Sequence, residues 1–449
     1  MGTKIQMNPG VKSIVMPENL KVGLMVAEQR KKCSLIGCTD EYYGLAFGQS
    51  PFPVPEPLVE ALARNSRHGH YADARGIEEL REAAAGFNAH HFGLHVSPER
   101  IFIGPGTKPL IDIVFHIVAG DLVLPFPSWI GYYPQALLMA KQYHAFPLHR
   151  ENHYKIDTDE LDHFLADRPD KQKVLVLNNP HNPTGAVYTR TELEALAAVC
   201  RRRRTLVLAD EIYALTTYAP DDFVSMGKVY PEGTFVTNGL SKDRSAGGYR
   251  LGHIILPEQC PEALMDAFNK VAATVYTNVT TPVQYAAVTA YARNVEIEAY
   301  FVMTRRIHRM MGTWLSREFN KIEGIHASSP HGGFYFFIDL NDLAPRLRAQ
   351  GVDTSNALGR SLLAHPYHIA TVTGDACMLP PDHFGGRVAF VDYDGAAALE
   401  KFKANPPENG KEGAFVHAAA PRMARAVDML RRYADDLRAG KLQHGDLQH

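Results

Sequence analysis

The sequence lacks any apolar run approaching the roughly 20 residues needed to cross a bilayer. Its first 19 residues are polar and lack the apolar core of a secretory signal peptide. It also lacks a charge excess, because 47 Lys and Arg stand against 49 Asp and Glu, for a formal net charge of -2. We therefore predict a cytoplasmic protein that binds neither membrane nor nucleic acid.

Cysteine is scarce, and the cysteines are odd in number, scattered and without metal-ligand spacing. We predict free thiols in a reducing compartment for Cys33, Cys38, Cys200, Cys260 and Cys377. The 21 histidines include no His-Glu-x-x-His motif and no Cys-His cluster. Because His90, His91 and His95 indicate the end of a helix, the sequence predicts no metal site.

The 449 residues are enough for a large core and two domains. Hydrophobic residues make up 45% of the chain and charged residues 21%, which is typical of a globular protein. Short apolar runs at residues 173–177, 205–209 and 234–236 predict buried strands, and residues 191–201 predict an amphipathic helix between two of them.

One segment organises the chain: residues 239–252, with the sequence GLSKDRSAGGYRLG. Predicted strands flank it, so Lys242 leaves the end of a strand. Burial and the nearby Arg250 both favour a neutral amine at Lys242, and a neutral amine forms a Schiff base with an aldehyde. Arg250 itself carries a guanidinium fork that suits a phosphate.

Residues at other predicted strand ends and turns could also bind a ligand. Asp210 follows an apolar run and is aimed at the edge where ligands lie in open parallel sheets. The turn at Gly106 and Thr107 opens a helix whose backbone N–H groups suit a phosphate. Trp129 offers a flat ring for stacking. Gly48 allows close backbone approach.

The segment at residues 239–252 resembles the lysine-attachment motif of class I and II aminotransferases, which are pyridoxal phosphate (PLP) enzymes of fold type I. The matching positions are Gly239, Leu240, Ser241, Lys242, Ser245, Ala246, Gly248, Arg250, Leu251 and Gly252. The resemblance covers roughly residues 40–400. It departs from the family pattern at Pro105, where the family has a hydroxyl residue in the phosphate turn.

The resemblance implies a catalytic role for three residues. Lys242 holds PLP as a Schiff base and acts as general base, Asp210 faces the pyridine nitrogen, and Tyr213 reaches the phenolic oxygen, as does Asn182. Arg387 binds the substrate α-carboxylate. Asn182 and Gly48 also contact the substrate, with Gly48 lying over the bound amino acid. The other cofactor-binding residues implied are Gly106, Thr107, Ser241, Arg250 and, from the neighbouring subunit of a homodimer, Tyr71. The resemblance also implies an aromatic ring stacked on the cofactor, which is Trp129 or Tyr132, and we favour Trp129.

The function implied is an aminotransferase that moves an amino group between an L-amino acid and a 2-oxo acid in ping-pong half-reactions. A PLP-dependent C–S or β-lyase of the same fold is the alternative. A PLP-binding regulator is disfavoured, because the roughly 40 residues before Leu45 are too few for a DNA-binding domain. For a distal substrate carboxylate, Lys108 is a candidate, or an arginine that the sequence does not single out.

The fold implied is α/β, the PLP-dependent transferase fold type I. It has a large domain with a mostly parallel seven-stranded sheet between helices, and a smaller α/β domain. We expect an arm and part of the small domain in residues 1–45, the large PLP-binding domain in 46–305 and the small domain in 306–449. An insertion is expected at about 403–418 and a loose tail after 440.

Overall fold

The computed structural model of the protein describes residues 11, 14, 16–408 and 410–442. Its strands are β1 Tyr43–Gly44, β2 Ile101–Gly104, β3 Asp121–Phe126, β4 Tyr143–Pro147, β5 Lys173–Asn178, β6 Leu206–Asp210, β7 Thr234–Gly239, β8 Gly252–Ile255, β9 His326–Ala327, β10 Tyr335–Asp339, β11 Ile369–Ala370, β12 Val372–Thr373 and β13 Gly385–Ala389. Its helices are α1 Glu18–Ile36, α2 Glu56–Asn65, α3 Glu78–Phe92, α4 Thr107–Ile117, α5 Tyr132–Leu138, α6 Thr158–Ala166, α7 Arg190–Arg202, α8 Met226–Val229, α9 Glu262–Val275, α10 Thr281–Tyr291, α11 Val295–Phe319, α12 Ala344–Ala349, α13 Ser355–Leu363, α14 Gly395–Ala404, α15 Glu412–Ala419 and α16 Pro421–Arg438.

Side-chain caps fix where several helices begin. At α7 the hydroxyl of Thr189 accepts from the N–H of Glu192, whose carboxylate accepts from the N–H of Thr189 in return. At α6 the carboxylate of Asp157 accepts from two N–H groups of the first turn. Each such cap stabilises its helix by about 1 kcal/mol. Both helices lie between strands of the main sheet and connect them.

The main sheet has the strand order β2-β8-β7-β6-β5-β3-β4. All neighbouring pairs are parallel except those of β8, which runs antiparallel to both β7 and β2. Every residue of β5 and β7 is buried. Continuous apolar strands of this kind belong in a sheet that is covered on both faces. The prediction of a mostly parallel seven-stranded sheet is confirmed.

The carboxyl ends of β5, β6 and β7 lie side by side in this sheet. Asn178 pairs with Asp210, and Asp210 pairs with Thr237, across adjacent strands. Lys242 follows the end of β7 in the next turn. Because ligands of open parallel sheets lie at this edge, the register brings predicted residues from distant parts of the chain to one place.

The second sheet is antiparallel, with the order β12-β13-β10-β9. Arg387 lies on its strand β13, paired with Phe337 on β10 and with Val372 on β12. Beside it, β1 pairs in parallel with β11, and α1 packs against β11 and β12. The N-terminal part of the described chain therefore packs on the sheet that carries Arg387. The domain limits at residues 45 and 305 remain predictions.

The cysteines require a correction, because Cys33 and Cys38 form a disulfide. The helix α1 ends at Gly37, whose φ of 69° turns the chain back. This turn brings the two Cα atoms to 4.9 Å, a separation that a disulfide spans. The prediction of free thiols is wrong for this pair, while Cys200, Cys260 and Cys377 are free.

The C-terminal part is more regular than the sequence indicated. The expected insertion at 403–418 contains the end of α14 and most of α15. Of the tail expected to be loose after residue 440, residues 443–449 lie outside the described residues. Within the described part of the chain, none of the helices has both the length and the apolar character that crossing a bilayer demands.

Candidate active site

Lys242 lies between the two sheets. Its Nζ donates a hydrogen bond to the carbonyl oxygen of Gly48 at 3.0 Å. The same nitrogen is 5.6 Å from the ring centroids of Tyr213 and Phe334. The amine therefore faces a cleft whose walls come from both sheets, and apolar rings surround its polar end.

Asp210, the last residue of β6, is only 4% exposed. Its Oδ2 accepts from the hydroxyl of Tyr132 at 2.7 Å, and its Oδ1 accepts from the hydroxyl of Thr237 at 3.2 Å. Burial raises the pKa of Asp210, and these hydrogen bonds, together with the charge of Lys242, oppose that rise. A buried carboxylate among donors can hold a proton on a ligand nitrogen.

The segment after β5 is tied to β6 through Asn178. Its amide donates to the carbonyl oxygen of Asp210 at 2.8 Å, and its side-chain oxygen accepts from the N–H of Asn182 at 2.6 Å. Asn178 thus fixes the position of Asn182 relative to Asp210. The sequence did not single out Asn178 for this supporting role.

An anion cradle lies at the start of α4. Thr107 is its first residue and Gly106 its N-cap, with a φ of 88°. A Cβ at Gly106 would lie 2.5 Å from a guanidinium nitrogen of Arg250. That guanidinium donates to the carbonyl oxygens of Gly247 at 2.8 Å and Pro105 at 3.2 Å. The N–H of Gly106 itself donates to the carbonyl oxygen of Gly104 at 2.7 Å. N–H groups of the first turn of α4 and a guanidinium at one helix N-terminus suit a phosphate, and Pro105 does not prevent this arrangement.

Arg387 is 2% exposed and lies opposite the asparagine turn. Its guanidinium donates to the side-chain oxygen of Asn182 at 3.2 Å and to the carbonyl oxygen of Ala46 at 2.6 Å. It also stacks on Tyr335, 4.5 Å from the ring centroid. Within the described chain its buried Nε has no hydrogen-bond partner. Since a buried unpaired donor is costly, the arginine is ready to bind a carboxylate.

Tyr213 and Tyr335 form a chain of hydroxyls that ends at Gly48. The hydroxyl of Tyr213 donates to that of Tyr335 at 3.1 Å, which donates to the carbonyl oxygen of Gly48 at 3.2 Å. Burial, followed by the neighbouring Tyr335, raises the pKa of Tyr213. Tyr213 therefore remains a neutral donor. The sequence did not single out Tyr335, which lies on β10.

Trp129 and Lys108 stand together near the cradle. The Nζ of Lys108 lies 5.1 Å from the Trp129 ring, and Trp129 meets Tyr132 edge to face at 4.9 Å. Burial is the main cause that lowers the pKa of Lys108. The charge of Asp112 opposes this shift, and the charges of Arg250 and Lys242 add to it. The three cations therefore act on one region. Tyr132, the alternative stacking ring, instead donates a hydrogen bond from its hydroxyl to the carboxylate of Asp210.

Two predicted residues make no polar contact at the site. Ser241 is half-buried in the turn before Lys242. Tyr71 is 87% exposed and makes no hydrogen bond within the described chain. The cofactor roles of both remain predictions.

A model of the family "aminotransferase class I and II" matches residues 40–392 of the chain. The chain belongs to this family. Among its relatives, the bifunctional aspartate aminotransferase and glutamate/aspartate-prephenate aminotransferase of Petunia hybrida is 33% identical, over 83% of this chain and 77% of that protein. The asparagine–oxo-acid transaminase of Streptococcus mutans is 30% identical, over 65% and 74%. The aspartate aminotransferase of Bacillus subtilis is 29% identical, over 69% and 78%.

Solved structures resemble the aminotransferase over 96% of its length. The aspartate aminotransferase of Thermus thermophilus with maleate superposes with a TM-score of 0.77 at 24% identity, over all of that chain. The alanine aminotransferase of Pyrococcus furiosus gives 0.79 at 21% identity, also over its whole length. These structures confirm the fold, PLP-dependent transferase type I.

The aminotransferase is a PLP-dependent transaminase, as its family and relatives establish. The residues present fit the cofactor. Gly106 leaves beside Arg250 the space that a Cβ would fill, which suits the phosphate. Asp210 is a buried carboxylate among donors, which suits a protonated ring nitrogen. Lys242 presents an amine whose hydrogen-bond acceptor is a single carbonyl oxygen.

Proposed function

We propose that this aminotransferase takes an acidic L-amino acid as amino donor and transfers the amino group to a 2-oxo acid in two half-reactions. The proposed substrate class depends on Lys108. It is a partly buried cation beside Trp129 that adds a third positive charge near Lys242 and Arg250. Charge-assisted hydrogen bonds from such a cation favour a second carboxylate. The three relatives named above carry aspartate, glutamate or asparagine in their names.

The substrate α-carboxylate is assigned to Arg387. The contacts with Asn182, Ala46 and Tyr335 support this assignment, because they hold the guanidinium in place before a ligand arrives. A held guanidinium loses little entropy on forming its two bonds to a carboxylate. The Asn182 side chain, bonded to Arg387, links this carboxylate position to the polar turn after β5.

Lys242 moves the proton of the reaction. Bound PLP supplies an aldehyde that bonds to the amino group and a ring that accepts the electron pair left at the substrate Cα. The amine of Lys242 takes the proton from that Cα. Gly48 orients the amine through its carbonyl oxygen. Asp210 would hold a proton on the ring nitrogen, and Tyr132 and Thr237 keep that carboxylate in place.

The remaining contacts to PLP are assigned by the chemistry of the side chains. The N–H of Thr107 and the guanidinium of Arg250 would hold the phosphate, and Gly106 would leave the space for it. Trp129 would cover a face of the ring. The amide of Asn182 and the hydroxyl of Tyr213, whose single proton would turn from Tyr335 to the cofactor, are the donors proposed for the phenolic oxygen. Ser241 completes the proposed cofactor-binding set.

Isotope transfer tests the substrate class. The holoenzyme is given ¹⁵N-labelled L-aspartate, L-glutamate, L-alanine or L-phenylalanine with an unlabelled 2-oxo acid, and products are identified by mass spectrometry. We expect label from the acidic donors in the new amino acid, with kcat/KM at least about tenfold above that for alanine. Equal rates for alanine would contradict the acidic class. Label released as ammonia, with pyruvate or another keto product, would instead indicate the lyase.

We also propose a homodimer in which Tyr71 reaches the phosphate of the neighbouring subunit's cofactor. The exposure of its ring in the single chain supports this, because 87% of it remains available to a partner. A phenolic hydroxyl can donate to a phosphate oxygen. A monomer in light scattering at assay concentration would contradict the proposal.

A cytoplasmic location is a further part of the proposal. It rests on Cys200 and Cys377, which are buried free thiols. The pair Cys33 and Cys38 is the feature that opposes it, since disulfides are rare in reducing compartments. Thiol alkylation of acid-quenched cells decides between the two. Five alkylated cysteines would support the cytoplasm, and three would contradict it.

A further inference from the structure

Three side chains with metal-binding atoms meet outside the active site. Asp40 follows α1, and His365 and His368 precede β11. Their ligand atoms all lie within 4.8 Å of one another. Asp40 and His365 are exposed, whereas His368 is buried at 7% exposure. The cluster thus has one fixed member and two that can rotate.

His368 is the observation that points to a ligand. The Nε2 of its ring is buried and has no hydrogen-bond partner within the described chain. Burying an imidazole nitrogen without a partner is costly, and such a group calls for an explanation. Its Nε2 lies 3.6 Å from Oδ2 of Asp40, too far for a good hydrogen bond. The ring of Tyr42 packs against it at 4.4 Å and keeps it in place.

The spacing agrees with that of metal ligands. Two ligand atoms that are each about 2.0–2.1 Å from a tetrahedral zinc ion lie about 3.3 Å apart. The 3.6 Å between His368 and Asp40 is close to that value. The rings of His365 and His368 have centroids 5.5 Å apart and an interplanar angle of 63°, so a small rotation of exposed His365 completes the set.

We propose that Asp40, His365 and His368 bind a divalent transition-metal ion, with water completing its coordination. Two imidazoles and one carboxylate suit zinc in particular.

The ion would have a structural role. Next to the cluster, β1 pairs with β11, and the N–H of Tyr43 donates to the carbonyl oxygen of His368 at 2.9 Å. A metal bound to Asp40 and to both histidines would join the chain after α1 to the loop before β11. It would add a second connection to the two-residue strand pairing and so stabilise the packing of α1 on the small sheet.

A second group of metal-binding side chains, His90, His91 and Glu298, serves as an internal control. There the ring of His90 is in contact with a guanidinium nitrogen of Arg293 at 3.0 Å, and His91 is in contact with Glu298 at 3.2 Å. These atoms already have partners, and a cation stands beside the group. We do not propose a site there.

Zinc titration of the dialysed holoenzyme tests the proposal. Isothermal calorimetry and the zinc content after gel filtration should show one ion per chain. Asp40→Asn and His365→Gln, both at exposed positions, should each raise the Kd at least about tenfold. The matched control His90→Gln should bind as the wild type does. Zinc should raise the Tm of the wild type and of the control, and not that of the two ligand variants.

The outcomes are decisive in both directions. Absence of stoichiometric zinc binding by the wild type would overturn the proposal, as would unchanged affinity in Asp40→Asn and His365→Gln. Loss of binding in His90→Gln alone would place the ion in the control group. Both ligand variants should keep their basal transaminase activity and their metal-free Tm, which shows that they are folded.

Discussion

At the scale of single residues, Gly48 acts through its backbone. Its carbonyl oxygen accepts from both Lys242 and Tyr335. A Cβ at this position would lie 1.7 Å from the hydroxyl oxygen of Tyr335, so no other residue leaves that ring in place. The glycine therefore holds the amine and a phenol around one acceptor, and its own side chain is not needed.

Replacement of Lys242 by Ala should abolish the proton transfer at the substrate Cα. General acid–base groups contribute about 10²–10⁴-fold to rate, so we expect turnover to fall at least about 10²-fold. Lys270→Ala, an exposed lysine of α9, is the matched control and should be unaffected. Borohydride reduction followed by peptide mapping should attach PLP to the peptide containing Lys242 in the wild type. Near-normal turnover of Lys242→Ala would contradict the assignment.

Replacement of Lys108 by Met should remove the charge and keep the length of the side chain. A hydrogen bond to a charged group contributes about 1.5–3 kcal/mol, so kcat/KM for L-aspartate should fall about 10–100-fold. The value for L-alanine should change little and provides the control. Because burial lowers the pKa of Lys108, its charge is lost as pH rises through that lowered pKa. The preference for aspartate over alanine should therefore decline on the alkaline side.

The sequence predicted the site residues that carry distinctive chemistry at strand ends. Asp210 and Lys242 follow apolar runs, so their place at a sheet edge was predictable. The role of Tyr335 was not predictable, because a tyrosine inside a strand is typical of core packing. Its role depends on how the second sheet faces the first, and that relation is set by tertiary packing and not by local pattern.

At the scale of elements, the register of β5, β6 and β7 decides the site. One-residue slippage of β6 would turn Asp210 to the other face of the sheet. The buried apolar residues of these strands prevent such slippage, because it would expose part of the core. Strand identity was therefore predictable from apolar runs, whereas the pairing of Asn178 with Asp210 is visible only in the assembled sheet.

The contact of β8 with the start of α4 gives a prediction at this scale. A Cβ at Gly252 would lie 2.9 Å from backbone atoms of Gly106 and of Thr107. Gly252→Ala should therefore push the phosphate cradle outward. We expect PLP affinity to fall about tenfold and the free energy of unfolding to fall by about 1–3 kcal/mol.

A second glycine of the same segment provides the matched control. A Cβ at Gly248 would meet nothing within 4 Å, so Gly248→Ala should bind PLP and unfold as the wild type does. Fluorescence titration with PLP and denaturant unfolding measure the two effects. Equal behaviour of Gly252→Ala and Gly248→Ala would show that the cradle does not depend on this contact.

Two pairings near the small sheet could not be predicted from the sequence. Cys33 and Cys38 pair because the left-handed residue Gly37 reverses the chain at the end of α1. Asp40 meets His368 because β1 pairs with β11, two strands of two residues each. Strands this short carry no periodic signal, so a pairing between them cannot be read from an amphipathic pattern.

At the scale of the whole molecule, the site assembles from both sheets. Lys242 and Asp210 come from the edge of the parallel sheet, and Arg387 comes from the antiparallel one. The bond between Arg387 and Asn182 crosses this boundary. The substrate carboxylate and the reacting amine are therefore held by different parts of the fold, and their separation depends on how these parts pack.

The proposed dimer extends this sharing to a second chain, and a mixed dimer tests it. One chain carries Lys242→Ala and the other Tyr71→Ala, each with its own affinity tag. If Tyr71 serves the neighbouring subunit, one site of the mixed dimer has both residues lost and the other has both intact. Loss of a hydrogen bond to phosphate should weaken PLP binding by the Tyr71→Ala homodimer about 10–100-fold.

Assayed at limiting PLP, the mixed dimer should therefore show about half of the wild-type activity, with one tightly bound PLP per dimer. If Tyr71 serves its own chain instead, neither site is intact, because one lacks Lys242 and the other lacks Tyr71. Activity would then not exceed that of the Tyr71→Ala chain alone. The two geometries thus give opposite results from the same pair of substitutions, and each homodimeric variant measured alone supplies the baseline.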